Sequence, residues 1–159
     1  MTPRQRRDPD VTSVIEVGSA PAAVTQIRHA VARLLVSWEL TEICDDAVLC
    51  LSEALTNAVL HARPVRPVTV TIHRDLRTLR IEIADADRSM IIRAPGCLRG
   101  PENQPPENQP PENQLDEFGR GLQVIDALAA RWGVDADDAG KRVWFEQDIP
   151  SIGRLGAMP

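Results

Sequence analysis

The alternation of apolar and polar positions divides the chain into segments of recognisable period. VTSVIEV, residues 11–17, is dense in β-branched side chains and predicts a strand, after which Gly18, Ser19 and Pro21 punctuate the chain and can open a helix. Val24, Ile27, Val31, Leu34, Leu35 and Trp38 then recur as the single apolar stripe of a first helix. A second helix is predicted from near Thr41 to about His61, with Asp45 and Asp46 in its early turns, where the helix dipole favours acidic groups. Its apolar stripe is Ala47, Val48, Leu51, Leu55, Ala58 and Val59. The opposite row holds Asp46, Glu53, Asn57 and His61, the last three each one turn apart, and Pro64 and Pro67 end the helix.

VTVTIH (residues 68–73) and LRIEIA (residues 79–84) alternate strictly around a short polar turn, the pattern of an antiparallel hairpin with one buried face. DEFGRGLQVIDALAARWGV, residues 116–134, carries a third helical stripe through Leu122, Val124, Ile125, Leu128, Ala129 and Trp132. A polar turn with Gly140 leads to VWFEQDI, a last strand. Together these elements predict an α+β fold: a mixed, mostly antiparallel sheet with helices on one face.

Composition sets bounds on that picture. At 159 residues the chain suits one domain with a real core, and residues 11–150 carry all the patterned elements. Residues 1–10, with Arg4, Arg6 and Arg7, read as a disordered basic tail, and residues 151–159 as a flexible C-terminal one. With three Trp, two Phe and no Tyr, the core should be built from Val, Leu, Ile and Ala. A net charge of −5 gives no broad cationic field, which argues against nucleic acid as a partner. Cys44, Cys50 and Cys97 lack CxxC spacing, so they read as reduced thiols rather than a disulfide framework or zinc site. With no signal-like N-terminus and no long uncharged apolar run, the expectation is a cytoplasmic protein without a membrane span.

Three constellations have chemical potential. Glu53 and Asn57 share a helix face one turn apart, which sets a carboxylate base beside an amide oxygen able to hold magnesium; taken alone, the pair is more commonly a solvated helix face. Asp85 ends the strand LRIEIAD, where a carboxylate can accept from an exocyclic amine or merely open a turn. FGRGL, residues 118–122, places two glycines just ahead of a helix, where backbone N–H groups and the helix dipole can receive a phosphate.

In order and spacing the three are similar to one family. The chain resembles the GHKL (histidine-kinase-like) ATP-binding domains, in particular the bacterial anti-sigma-factor serine/threonine kinases of the partner-switching type. SEALTNAVLHA (residues 52–62) looks like the N-box, IEIADADRS (81–89) like the first glycine box and GRGLQVIDALAARWGV (119–134) like the second; GKRVWFE (140–146) is similar to the closing strand. The resemblance implies the two-layer α/β sandwich of the GHKL, or Bergerat, fold, with ATP and Mg²⁺ as ligands. It implies Glu53 as general base, Asn57 as the magnesium ligand, Asp85 as the reader of the adenine amine, and Gly119, Arg120, Gly121 and Leu122 around the phosphates. It further implies phosphorylation of a serine on an anti-anti-sigma (STAS-type) antagonist, a sigma factor as alternate partner, and a homodimer.

The chain departs from the family pattern at three places. Asp87 stands where the first glycine box has glycine, LDEF at 115–118 lacks an arginine before the second, and Arg142 stands where the closing turn often has threonine. The segment corresponding to the ATP lid, residues 98–115, contains PENQPPENQPPENQ, residues 101–114. Its prolines exclude helix and sheet interior, and its Glu, Asn and Gln offer nothing to bury, so an extended or disordered stretch is expected. Glu102, Glu107 and Glu112 bring no cation to a polyanion. These departures leave a second reading, a GHKL module that acts through protein–protein contact with weak or no catalysis.

Overall fold

The computed structural model describes residues 10–18, 20–61, 67–86 and 115–150, with the side chains of residues 60, 61 and 115–120 outside that set. Strand β1 (Val11–Val17) leads into helices α1 (Pro21–Ser37) and α2 (Thr41–His61). The hairpin β2 (Val68–Arg74) and β3 (Thr78–Asp85) follows, and after it α3 (Leu115–Leu128), β4 (Arg131–Asp137) and β5 (Gly140–Asp148). The strands form one sheet in the order β1-β2-β3-β5-β4, and every pairing is antiparallel, where the sequence left room for a mixed sheet. Among the described residues no helix is long and apolar enough to cross a membrane.

Local pattern accounts for most of this. Pro21 occupies the first turn of α1, where its missing N–H is not needed. The helix stops as Trp38 and Leu40 N–H groups turn back onto Leu34, Leu35 and, for Leu40, Leu35 alone, with Glu39 in the left-handed conformation at φ 61° that commonly ends helices. Arg74, at the end of β2, donates to the Trp38 carbonyl at 2.6 Å and ties this helix end to the sheet. In the β2–β3 turn, Asp75 accepts from the Arg77 and Thr78 N–H groups, the first of which leads in holding its carboxyl below the usual range.

The core lies between one helical layer and one sheet face. Ala47, Cys50, Leu51, Ala54, Leu55 and Ala58 of α2 meet Val70, Ile72, Ile81, Ile83, Val143 and Phe145 of the sheet, all buried. Helix α2 is the middle of the layer, packed by α1 on one side and α3 on the other. The cysteines of α2 are core residues: burial, then the charges of Asp46 and Glu53, pushes the Cys50 thiol up to about 11, and burial raises Cys44 as well. Neither offers a thiolate near neutral pH. Cys97 lies outside the described residues.

The opposite sheet face is a charged surface. Arg80 bonds Glu82 and Glu146 at 2.7 and 2.9 Å and lies 4.1 Å above the Trp144 ring, while Arg131 bridges Glu146 and Asp148 at 2.7 Å each. Held chiefly by Arg131, the Glu146 carboxyl sits below its ordinary range.

Two local expectations are corrected. The third helical stripe does not run to Trp132: α3 stops at Leu128, the Ala130 N–H donates to the Glu146 carbonyl, and residues 131–137 form β4. Trp132 and Val134 face Phe145 and Val143 across the β4–β5 pair, so pairing with β5, a contact outside any local window, overrides the helical period. FGRGL, expected as a loop ahead of a helix, lies inside α3 from its first turn onward. Asp10 pairs with His73 at 3.1 Å, and residues 1–9 and 151–159 lie outside the described residues.

Candidate functional site

Helical spacing puts Glu53 and Asn57 on one side of α2, half-buried, while the neighbouring Ala54, Leu55 and Ala58 point into the core. What covers them is α3. Asn57 Nδ2 and Glu53 Oε2 each lie 3.2 Å from the point where a Cβ on Gly121 would stand. The second glycine of FGRGL therefore lets the α3 backbone pass directly over the polar pair, where even a methyl group would be tight against both side chains. Leu122, the next residue, is buried and joins the core. Gly119 and Arg120 belong to the same helix, although the Arg120 side chain lies outside the described residues.

Asp85 ends β3 with its side chain on the helix-side face, in alternation with the buried Leu79, Ile81 and Ile83. Directly opposite on β5 stands Lys141, whose Nζ is 3.4 Å from Asp85 Oδ2; their side chains are only 5% and 3% exposed. The approach is set by Gly140, with φ 151°, whose Cβ position falls 2.0 Å from the Asp85 carbonyl oxygen. Ahead of it, Asp137 Oδ1 accepts from the Ala139 and Gly140 N–H groups at 2.8 and 3.2 Å, closing the β4–β5 turn.

The sequence reading missed Lys141. Strand alternation carries Arg142 to the outer face, 3.5 Å from Glu82, and turns Lys141 toward Asp85 instead. Extending the VWFEQDI strand back by two residues would have found it, because Lys141 shares the parity of the buried Val143 and Phe145. Asp87, the lid segment 98–114 with its repeat, and the His61 side chain lie outside the described residues.

A cleft of about 220 Å³ opens at the same end of the sheet. Asp85 and Lys141 line it together with Thr69, Ala84, Asp135 and Arg142, register partners on the outer face, whereas Glu53, Asn57 and Gly121 do not. Among the described residues no group of three or more His, Cys, Asp or Glu side chains could hold a metal.

The residues that converge are thus a carboxylate and a carboxamide beneath a close helix–helix approach at Gly121, and a buried carboxylate on the adjoining sheet face. A carboxamide oxygen is a donor of the kind that suits a hard cation. No curated protein matches the chain. The family model described as the histidine kinase-like ATPase domain matches residues 17–146, from the end of β1 through most of β5. With that span and this arrangement of the sheet and helical layer, the chain belongs to the histidine kinase-like ATPase domains.

Proposed function

We propose that the protein is an ATP-dependent serine kinase of the partner-switching kind, which phosphorylates an anti-anti-sigma-type antagonist and takes a sigma factor as alternate partner, acting as a homodimer. The observation that carries the nucleotide reading is the convergence of Glu53 and Asn57 of one motif with Gly121 of another, sixty-odd residues later, at a single close approach of α2 and α3. The choice of protein acceptor rests on the resemblance of SEALTNAVLHA and GRGLQVIDALAARWGV to that kinase family.

In this reading the Asn57 oxygen would hold magnesium, which would supply charge neutralisation to the phosphates. Asp85 accepts from the adenine amine. Glu53 takes the proton of the acceptor hydroxyl as its oxygen bonds to the γ-phosphorus, and the bond from that phosphorus to the β–γ bridging oxygen breaks to release ADP. Helix α3, lying over the pair at Gly121, fixes the two side chains relative to each other, and positioning is most of what phosphoryl transfer asks of a protein.

Calorimetric titration with ATP and magnesium tests the reading. The wild type is expected to bind saturably, and Asn57→Ala to bind roughly 10- to 100-fold more weakly, the loss of one contact to a charged group. No saturable binding by the wild type favours instead the non-catalytic interaction module, the reading that the acidic, cation-free 101–114 sequence supports. Gly121→Ala is a companion probe. A methyl there stands 3.2 Å from both side chains, while alanine gains about 1 kcal/mol of helix propensity over glycine. Thermal melting is expected to change little and ATP affinity to fall roughly tenfold; unchanged affinity would show that the approach at Gly121 is only a helix contact.

A further inference from the structure

We infer that Lys141 is a second base-reading residue, whose ammonium donates to ring nitrogen N1 of the adenine while Asp85 accepts from the neighbouring exocyclic amine. This deepens the ATP-binding reading and rests on it.

Lysine is almost never as buried as Lys141 unless it is paired, and removing an ammonium from water is expensive. Its acceptor among the described residues is Asp85, at 3.4 Å, longer than the roughly 2.7–2.9 Å of a short charge-assisted bond. An ammonium has three donor hydrogens, and one distant acceptor engages at most one of them. The remaining donors are held inside the protein beside the carboxylate assigned to the base. Arg142, next in the chain, turns away to Glu82 and does not share the task.

The order of the pair selects the base. Asp85 and Lys141 are direct register partners, so an acceptor and a donor stand side by side on two antiparallel strands. The Watson–Crick edge of adenine offers the complement in the same order, with the amine as donor at C6 and N1 as acceptor next to it. Guanine reverses both, with an acceptor at C6 and N1–H beside it. With Asp85 at the C6 substituent, the guanine edge would meet a carboxylate with its carbonyl and an ammonium with its N–H. The clamp of Gly140 on the Asp85 carbonyl holds this order fixed, since the strand ends cannot slide without moving that contact. Buried charged groups discriminate more sharply than exposed ones, because a mismatched partner leaves them desolvated and unsatisfied.

The test compares analogues on the intact wild-type chain, which avoids any question of folding in a variant. Calorimetry with magnesium and ATP, 1-deaza-ATP, 7-deaza-ATP or GTP is expected to show 1-deaza-ATP binding roughly 10- to 100-fold more weakly than ATP. GTP should be at least as weak, and 7-deaza-ATP should match ATP. In Lys141→Met, ATP and 1-deaza-ATP should bind alike. Equal wild-type affinity for ATP and 1-deaza-ATP overturns the role of Lys141 and leaves the ATP site standing. GTP bound more tightly than ATP overturns the proposed order of the pair. No saturable ATP binding overturns the nucleotide reading and this inference together.

Discussion

Replacing Gly140 with alanine is expected to destabilise the protein by on the order of 4 kcal/mol, the sum of two separate penalties. The first is conformational: φ 151° lies in a region essentially confined to glycine, costing a side-chain-bearing residue about 1–3 kcal/mol. The second is steric, since the added Cβ would stand 2.0 Å from the Asp85 carbonyl oxygen and 2.9 Å from Ala86 Cα. Both are backbone atoms, so no rotamer change relieves the overlap, and overpacking of this kind costs about 1–3 kcal/mol more. Against a typical total of about 5–15 kcal/mol this is a large fraction, and it corresponds to a drop in melting temperature of roughly 10 °C or more. Gly18→Ala is the matched control, because nothing lies within 4 Å of its Cβ position. Thermal melts of the two variants check the argument; a Gly140→Ala protein as stable as Gly18→Ala would mean that the β3–β5 junction yields easily. Because the same contact fixes Lys141 against Asp85, a folded Gly140→Ala protein should also bind ATP less well.

The elements legible in the sequence are those whose period is local. Val24 through Trp38 and Ala47 through Val59 repeat as helix stripes, and VTVTIH and LRIEIA alternate as strands; each appears in the fold where its pattern puts it. Residues 131–137 were not legible because Leu128, Ala129 and Trp132 satisfy a helical repeat as well as Trp132 and Val134 satisfy an alternating one. The decision belongs to β5, which supplies Phe145 and Val143 as partners. FGRGL erred in the other direction. Two glycines lower helix propensity by about 1 kcal/mol each, which argues for a loop, yet packing of α3 on α2 carries the helix through them. The gain is the close approach that only a glycine permits over Glu53 and Asn57.

The candidate site divides along the same line. Glu53 and Asn57 could be paired from sequence because four residues separate them on one helix, and Asp85 could be singled out as a strand-end carboxylate. Lys141 could not be weighed in the same way. A lysine becomes informative when it is buried, and its burial depends on β5 being extended to Gly140 and laid against β3 in one register. Lys141 and Arg142 part for a related reason: a shift of one residue along a strand moves a side chain to the opposite face.

Glu53→Gln is expected to separate binding from chemistry, with turnover falling by roughly 10²–10⁴-fold, the usual contribution of a positioned general base. The substitution keeps the shape of the side chain under Gly121 while removing its capacity to take a proton. ATP affinity should be retained or rise, because a negative charge next to a polyanion is removed. Asn57→Ala should do the reverse at the first step and weaken binding itself. Single-turnover consumption of labelled ATP, with water as acceptor when no protein acceptor is supplied, reads the chemical step; calorimetry on the same preparations reads the binding step. Equal loss of both in Glu53→Gln would assign Glu53 to nucleotide binding or local structure. Unchanged turnover would remove it from catalysis altogether. A wild type that binds ATP but consumes none would leave the fold and its nucleotide site intact and make the protein a module whose partners respond to the bound state, since the repeat from Pro101 to Gln114 supplies no cation to the transferring phosphate.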